Sequence, residues 1–155
     1  MPRDGRPVAT PSFRTLPGFR LHVLNRLTER DAEATYARLF DLTLPECRVI
    51  GVTGAMGPAP QGAVCREAEL EKAHGSRLVG RLVGRGLLER RADPADGRAA
   101  VLALTPEGRR VHRALHAAAV ERNERWLAPL SAARRRAMLD AIEVLIAAMR
   151  EEDGT

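Results

Sequence analysis

Apolar residues recur at three- and four-residue spacing along most of this chain, a pattern typical of amphipathic helices. The pattern predicts a mainly α-helical protein. Helices are expected over about residues 19–40, from 45 to between 54 and 60, from 61 to a tight turn, and over 71–85, 106–127 and 131–152. The runs LLERR and AAVLALT, on either side of residues 93–98, predict a small β-hairpin after the fourth helix.

Three of the predicted helices begin at residues with capping signals. Thr43 is followed three residues later by Glu46, with Pro45 in the first turn, which predicts a capping box. Thr105, directly before a proline, and Ser131 are expected to cap the fifth and sixth helices.

The fourth helix has an apolar side and a basic side. Four apolar residues form one stripe that should be buried, and arginines recur every four residues on a different face. The stripe is Leu78, Val79, Leu82 and Val83, and the outward residues are Lys72, Ser76, Arg77, Arg81 and Arg85. An exposed basic helix followed by a hairpin predicts a winged helix-turn-helix over about residues 45–104, which can place the helix in a major groove.

The charge distribution favours a polyanionic partner. The chain has a net charge of +5, and residues 71–91 contain six basic and two acidic side chains. Aromatic residues make up only 3% of the sequence, which argues against stacking on single-stranded nucleic acid. We therefore expect double-stranded DNA to be the partner.

Several other classes of protein are disfavoured. The chain has no apolar run of about 18 residues and no signal peptide, so we expect a cytoplasmic protein that does not bind membranes. It has no nucleophile elbow, phosphate-cradling glycine loop or paired catalytic carboxylates, so we expect no enzyme activity, no catalytic residues and no cofactor.

The cysteines and two histidines leave alternatives open. Cys47 and Cys65 fit buried small residues better than redox sensors. His112 and His116 are four residues apart, which is half of a metal site, and we expect them at the surface or in a dimer interface rather than on a metal.

The chain divides into an arm and one domain. Residues 1–18 are rich in proline and arginine and predict a flexible arm, which could be solvated, wrap a partner subunit or touch DNA. Residues 19–155 form the domain. An apolar stripe on its last helix, including Met138, Ile142, Leu145 and Met149, has no partner within a winged helix, so the first, fifth and sixth helices are expected to dimerise.

The runs LTLPECRVIG and SRLVGRLVGRGLLERRADPADGRAAVLALTPEGR resemble the MarR family of bacterial transcriptional regulators. The resemblance covers nearly all of residues 19–150. It implies a homodimer that binds a pseudo-palindromic DNA operator, and a repressor that is released by a small aromatic or heteroaromatic acid. Arg98 matches the wing-tip arginine that enters the minor groove, and Asp96 matches the residue that braces the wing.

The outward face of the fourth helix, which is the recognition helix of the family, supplies candidate DNA contacts. Ser76, Arg77 and His74 are candidate base readers, and Lys72, Arg81 and Arg85 are candidate phosphate contacts. Of these, Ser76 and Arg77 also match positions that meet DNA in the family. The first helix borders the ligand cavity in this family, so Arg20, His22 and Arg26 are candidate partners of an acidic ligand. Glu69 stands where the family often has a glycine in the turn before the recognition helix. The alternative function is an architectural protein that binds DNA of any sequence.

Overall fold

The computed structural model describes residues 12–92 and 100–153. It is mainly helical with a small antiparallel sheet, as predicted. A 3-10 helix spans Phe13–Thr15. The other elements are α1 (Pro17–Phe40), α2 (Leu44–Met56), β1 (Ala59–Pro60), α3 (Gln61–Glu67), α4 (Lys72–Gly84), β2 (Leu88–Ala92), β3 (Ala100–Leu104), α5 (Pro106–Leu127) and α6 (Ala132–Asp153).

Residues 13–15 and 17–18 are helical, although the sequence assigned them to an arm that ends at residue 18. Phe13–Thr15 form one helical turn, and α1 starts at Pro17, whose fixed φ suits the first helical position. The ring of Phe13 packs edge-on against Phe19, with centroids 5.4 Å apart. Residues 12–18 are thus an extension of α1.

The capping signals correctly predicted the starts of α2, α5 and α6. Thr43 and Glu46 form the reciprocal capping box. The Thr105 hydroxyl accepts the N–H of Gly108 at 2.9 Å, and the Ser131 hydroxyl accepts the N–H of Arg134 at 3.4 Å.

The sheet has three strands in the order β1-β3-β2, one more than the sequence indicated. Leu88 of β2 pairs with Leu104 of β3, and Ala59 of β1 pairs with Leu102. β1 lies between the second and third predicted helices, where no strand was predicted, and its Pro60 is tolerated because the strand is at the sheet edge. Residues 93–99, which include Asp96 and Arg98, lie outside the described residues.

The core of the winged region is built around α4. Leu78, Val79 and Leu82 are fully buried as predicted, whereas Val83 is only half-buried. The residues that pack with this stripe come from α2, α3 and the sheet, and include Val49, Ile50, Val64, Leu88 and Leu102. The buried stripe fixes which side of α4 faces outward.

The turn between α3 and α4 is tight. Glu69 has a φ of 53°, in the left-handed region. The Leu70 N–H donates to the Cys65 carbonyl at 2.9 Å, which closes the end of α3. Helices that end in this way usually have a glycine at the left-handed position. A Cβ at Gly75 would lie 2.5 Å from the Cys65 sulfur. The two helices can therefore approach this closely only because residue 75 has no side chain.

The chain forms two compact units, one through Leu115 and one from His116 onward. The second unit contains the end of α5 and all of α6. Within it, Arg135 donates to Glu124 at 2.6 Å and to the Leu130 carbonyl at 3.2 Å, which joins the two helices across their turn. Within the two described ranges, no helix is long and apolar enough to cross a membrane.

Two alanine substitutions in α4 should have opposite effects on stability. Gly75→Ala should lower the free energy of unfolding by about 1–3 kcal/mol, because its methyl group would overlap Cys65. Gly80→Ala is the matched control, since nothing lies within 4 Å of its added Cβ, and it should raise stability by about 0.5–1 kcal/mol. Urea unfolding measures both, and equal effects would contradict the close approach at Gly75.

Candidate nucleic-acid interface

The first two turns of α4 present an exposed polar surface. Lys72, His74, Ser76 and Arg77 are all exposed and lie outside the buried stripe. None of the four makes a hydrogen bond or ion pair with another residue in the described ranges. Their donors are therefore available to a partner molecule. Gly80 and Gly84 continue this surface with open space around their Cα atoms.

Arg81 and Arg85 differ from Arg77, although the sequence placed all three on one outward face. Their side chains are partly exposed, but each is bound within the protein. Arg81 Nε donates to Glu46 Oε1 at 3.1 Å, and Arg85 Nη1 donates to the Asp41 carbonyl at 2.7 Å. The two arginines expected to contact phosphates thus connect α4 to the junction between α1 and α2.

Glu46 is the buried member of this set, with only 5% of its surface exposed. Burial raises the pKa of its carboxyl, but hydrogen bonds from the Thr43 amide and hydroxyl and from Arg81 outweigh that effect and lower the pKa. Glu46 is therefore ionised at neutral pH. One carboxylate both caps α2 and anchors α4.

The base of the hairpin adds further cations. Arg90 Nη2 donates to Gln61 Oε1 at 3.2 Å, which ties β2 to the start of α3. Arg91 pairs with Glu89 on the same strand. The roles assigned to Asp96 and Arg98 remain predictions, because both lie outside the described residues.

The residues expected to bind an acidic ligand lie on α1. Arg20, His22 and Arg26 are exposed there, and none of them lines the cleft between α2, the sheet and α5. Their role in ligand binding stays a prediction.

A basic cleft of about 260 Å³, which was not predicted, lies between the end of α2, the sheet and the first turns of α5. Among the described residues that line it, Arg91, Arg109 and Arg113 are cationic, His112 contributes an imidazole ring, and none is acidic. The basic residues at positions 109, 110 and 113 are the sequence feature from which this cleft could have been predicted.

His112 has a packing role in this cleft. A Cβ at Gly54 would lie 2.3 Å from the His112 ring, so the imidazole packs directly on the α2 backbone. In the described part of the chain, no three His, Cys, Asp or Glu side chains are grouped closely enough to hold a metal ion.

Both cysteines are buried. Burial raises the pKa of Cys47 to about 12, with a further contribution from the Glu46 charge, and burial also raises the pKa of Cys65. Both groups are therefore neutral thiols near pH 7, which favours the structural role over redox sensing.

An exposed polar helix beside a small β-sheet defines a winged helix-turn-helix DNA-binding protein. The MarR family model matches residues 40–99. The PcaV transcriptional regulator from Streptomyces coelicolor, solved with its natural ligand, is 30% identical, with 91% of this chain and 99% of that chain covered and a TM-score of 0.71. This chain belongs to the MarR family and is a DNA-binding transcriptional regulator.

Two other solved structures are similar. A probable transcriptional regulator from Pseudomonas aeruginosa is 32% identical, with 81% of this chain and 96% of that chain covered and a TM-score of 0.67. The MepR–DNA complex of S. aureus is 16% identical, with 89% and 99% covered and a TM-score of 0.77, and it supports the fold alone. No curated protein matches significantly.

Substitutions at Arg77 and Lys72 should separate base readout from phosphate contact. Arg77→Ala should cost about 1–3 kcal/mol at the cognate site and relax preference at one base position, because a guanine can accept two hydrogen bonds from arginine. Lys72→Ala should weaken all sequences equally. Binding across single-base operator variants at fixed salt measures this, and a uniform loss with Arg77→Ala would make Arg77 a phosphate contact.

Proposed function

We propose that this regulator is a sequence-specific repressor that binds a pseudo-palindromic operator as a homodimer and is released by a small aromatic or heteroaromatic acid. The observation that carries the proposal is the exposed start of α4, where Lys72, His74, Ser76 and Arg77 have no partner among the described residues. These side chains stand on a helix whose opposite face is fully packed, so their positions are set before DNA binds.

Homodimerisation is supported by exposed apolar side chains on two helices. α1 exposes Leu21, Leu24 and Leu27, and α6 exposes Leu145 and Met149, the last with 67% of its surface accessible. Soluble chains rarely leave such apolar rows in water unless another surface covers them. A second copy of the chain supplies identical rows, and two copies would present two recognition helices to the two halves of one operator.

The basic cleft supports an acidic effector. Its volume of about 260 Å³ accommodates a single-ring acid, and its cations include Arg113, whose guanidinium has no partner among the described residues. An aromatic ring would lie against Pro58 and Leu104, and its carboxylate would pair with Arg113. Arg20, His22 and Arg26 remain the second proposed location for the acid.

A ligand in this cleft would affect DNA binding through the hairpin. The cleft includes Arg91 on β2 and Arg109 on α5, and Arg109 also donates to the carbonyl of Leu104, the last residue of β3, at 2.8 Å. A bound acid that draws these arginines together would move the hairpin relative to α5. A dimer fitted to half-sites about one DNA turn apart would then lose part of its contacts.

Dimerisation predicts that charge on the exposed side of α6 separates the subunits. Leu145→Glu combined with Met149→Glu should convert a dimer into a monomer in analytical ultracentrifugation, because two carboxylates would have to be desolvated in the interface. Arg136→Glu is the control on the opposite side of the helix and should remain dimeric. A dimeric double variant would place the interface elsewhere.

Operator selection and effector release test the function itself. Selection from a random DNA library should enrich one inverted repeat, which the protein should prefer over unrelated DNA by about a thousandfold at physiological salt. Aromatic carboxylates that raise its melting temperature should release that operator. Enrichment of no sequence would favour the architectural alternative.

Two variants, measured in the same release assay, test where on the protein the acid binds. Arg113→Gln should bind operator normally but need more acid for release, while Arg136→Gln should respond like the parent protein. A normal response in Arg113→Gln together with a weak response in Arg26→Ala would move the acid to α1.

A further inference from the structure

The junction between α1 and α2 holds the second half of α4 at two points, Asp41 and Glu46. We propose that Glu46 is a positioning residue for DNA recognition, which acts through Arg81 to hold the recognition helix in the orientation that reads the operator. This inference rests on the proposed contact of α4 with operator DNA.

The two oxygens of Glu46 have separate partners. Oε2 accepts the Thr43 N–H and hydroxyl, both at 2.9 Å, and Oε1 accepts Arg81 Nε at 3.1 Å. The carboxylate is buried and fixed by the helix cap, so it cannot follow Arg81 if α4 rotates. Rotation of α4 therefore has to break a charge-assisted hydrogen bond.

Asp41 provides the second attachment. This residue has a φ of 52°, which ends α1, and its carbonyl accepts Arg85 Nη1 at 2.7 Å. Arg81 and Arg85 are four residues apart and so lie on one side of α4. Two attachments one turn apart, together with the buried stripe, determine the rotation of α4 about its axis.

Because Glu46 is charged, the direction in which DNA affinity changes when the charge is removed tests this role. A carboxylate near bound DNA repels phosphates, so its removal should strengthen DNA binding if the residue only caps α2. If Glu46 positions α4, its removal should weaken operator binding. The two roles predict opposite changes.

Glu46→Gln separates capping from positioning, because glutamine also serves in capping boxes. Its one amide oxygen can accept from Thr43, which turns the amide NH₂ group toward the donors of Arg81. Operator affinity should fall by about tenfold, the size of one lost base contact. The slope of log affinity against log salt should stay unchanged, because no phosphate contact is lost.

Glu67→Gln is the matched control. Glu67 is an exposed carboxylate at the end of α3 without a partner among the described residues, and its removal should leave operator binding equal or tighter. Equal or tighter binding by Glu46→Gln as well would overturn the proposal.

Arg81→Gln provides an independent route that leaves the α2 cap intact. It should weaken operator binding as much as Glu46→Gln does, with the same salt slope, and the double variant should be no weaker than either single variant. If Arg81→Gln instead lowers the salt slope by about one and its effect adds to that of Glu46→Gln, Arg81 contacts phosphate and the proposal is wrong.

Separate variants distinguish failure of the proposed DNA contact from failure of the positioning role. Lys72→Gln should lower the salt slope by about one if α4 contacts DNA at all. No effect of either Lys72→Gln or Arg77→Ala would remove α4 from the DNA interface, whereas the expected effects of both variants with unaffected Glu46→Gln would overturn only the positioning role.

Discussion

Burial of one face of α4 is the constraint on which the rest of the winged region depends. The sequence of this helix has a low helix propensity, because it contains Gly75, Gly80 and Gly84. Each glycine makes helix formation about 1 kcal/mol less favourable than alanine would. Its N-cap, Glu71, makes no capping hydrogen bond through its side chain. Full burial of leucine and valine side chains, at about 1.5–3 kcal/mol each, offsets that weakness. Packing rather than local propensity keeps the helix formed.

Local signals predicted most of the fold. Thr43 with Glu46, and Thr105 before a proline, marked helix starts because capping depends on residues only three positions apart. β1 was missed because two residues have no periodicity and its pairing partner, β3, is about 40 residues away. The turn at Glu69 was recognised as unusual, but only the structure gives its left-handed φ.

The candidate site was less predictable, because its residues are distinguished by distant partners. A four-residue spacing places Arg77, Arg81 and Arg85 on one side of α4 and makes them equivalent in sequence. The structure separates them through acceptors 35 and 44 residues away. The basic cleft was missed for the same reason, since Arg91 and Arg113 meet only after the hairpin and α5 are in place.

The separation between free and bound polar side chains on α4 has an evolutionary consequence. The exposed side chains at the start of α4 make no hydrogen bond or ion pair within the described region, so replacing them leaves the packing of the helix intact. They are Lys72, His74, Ser76 and Arg77. Arg81 and Arg85 cannot change without disturbing the anchorage of α4. After gene duplication, a descendant of this protein could acquire a new operator by changing the exposed residues in the first two turns of α4 while inheriting the scaffold unaltered.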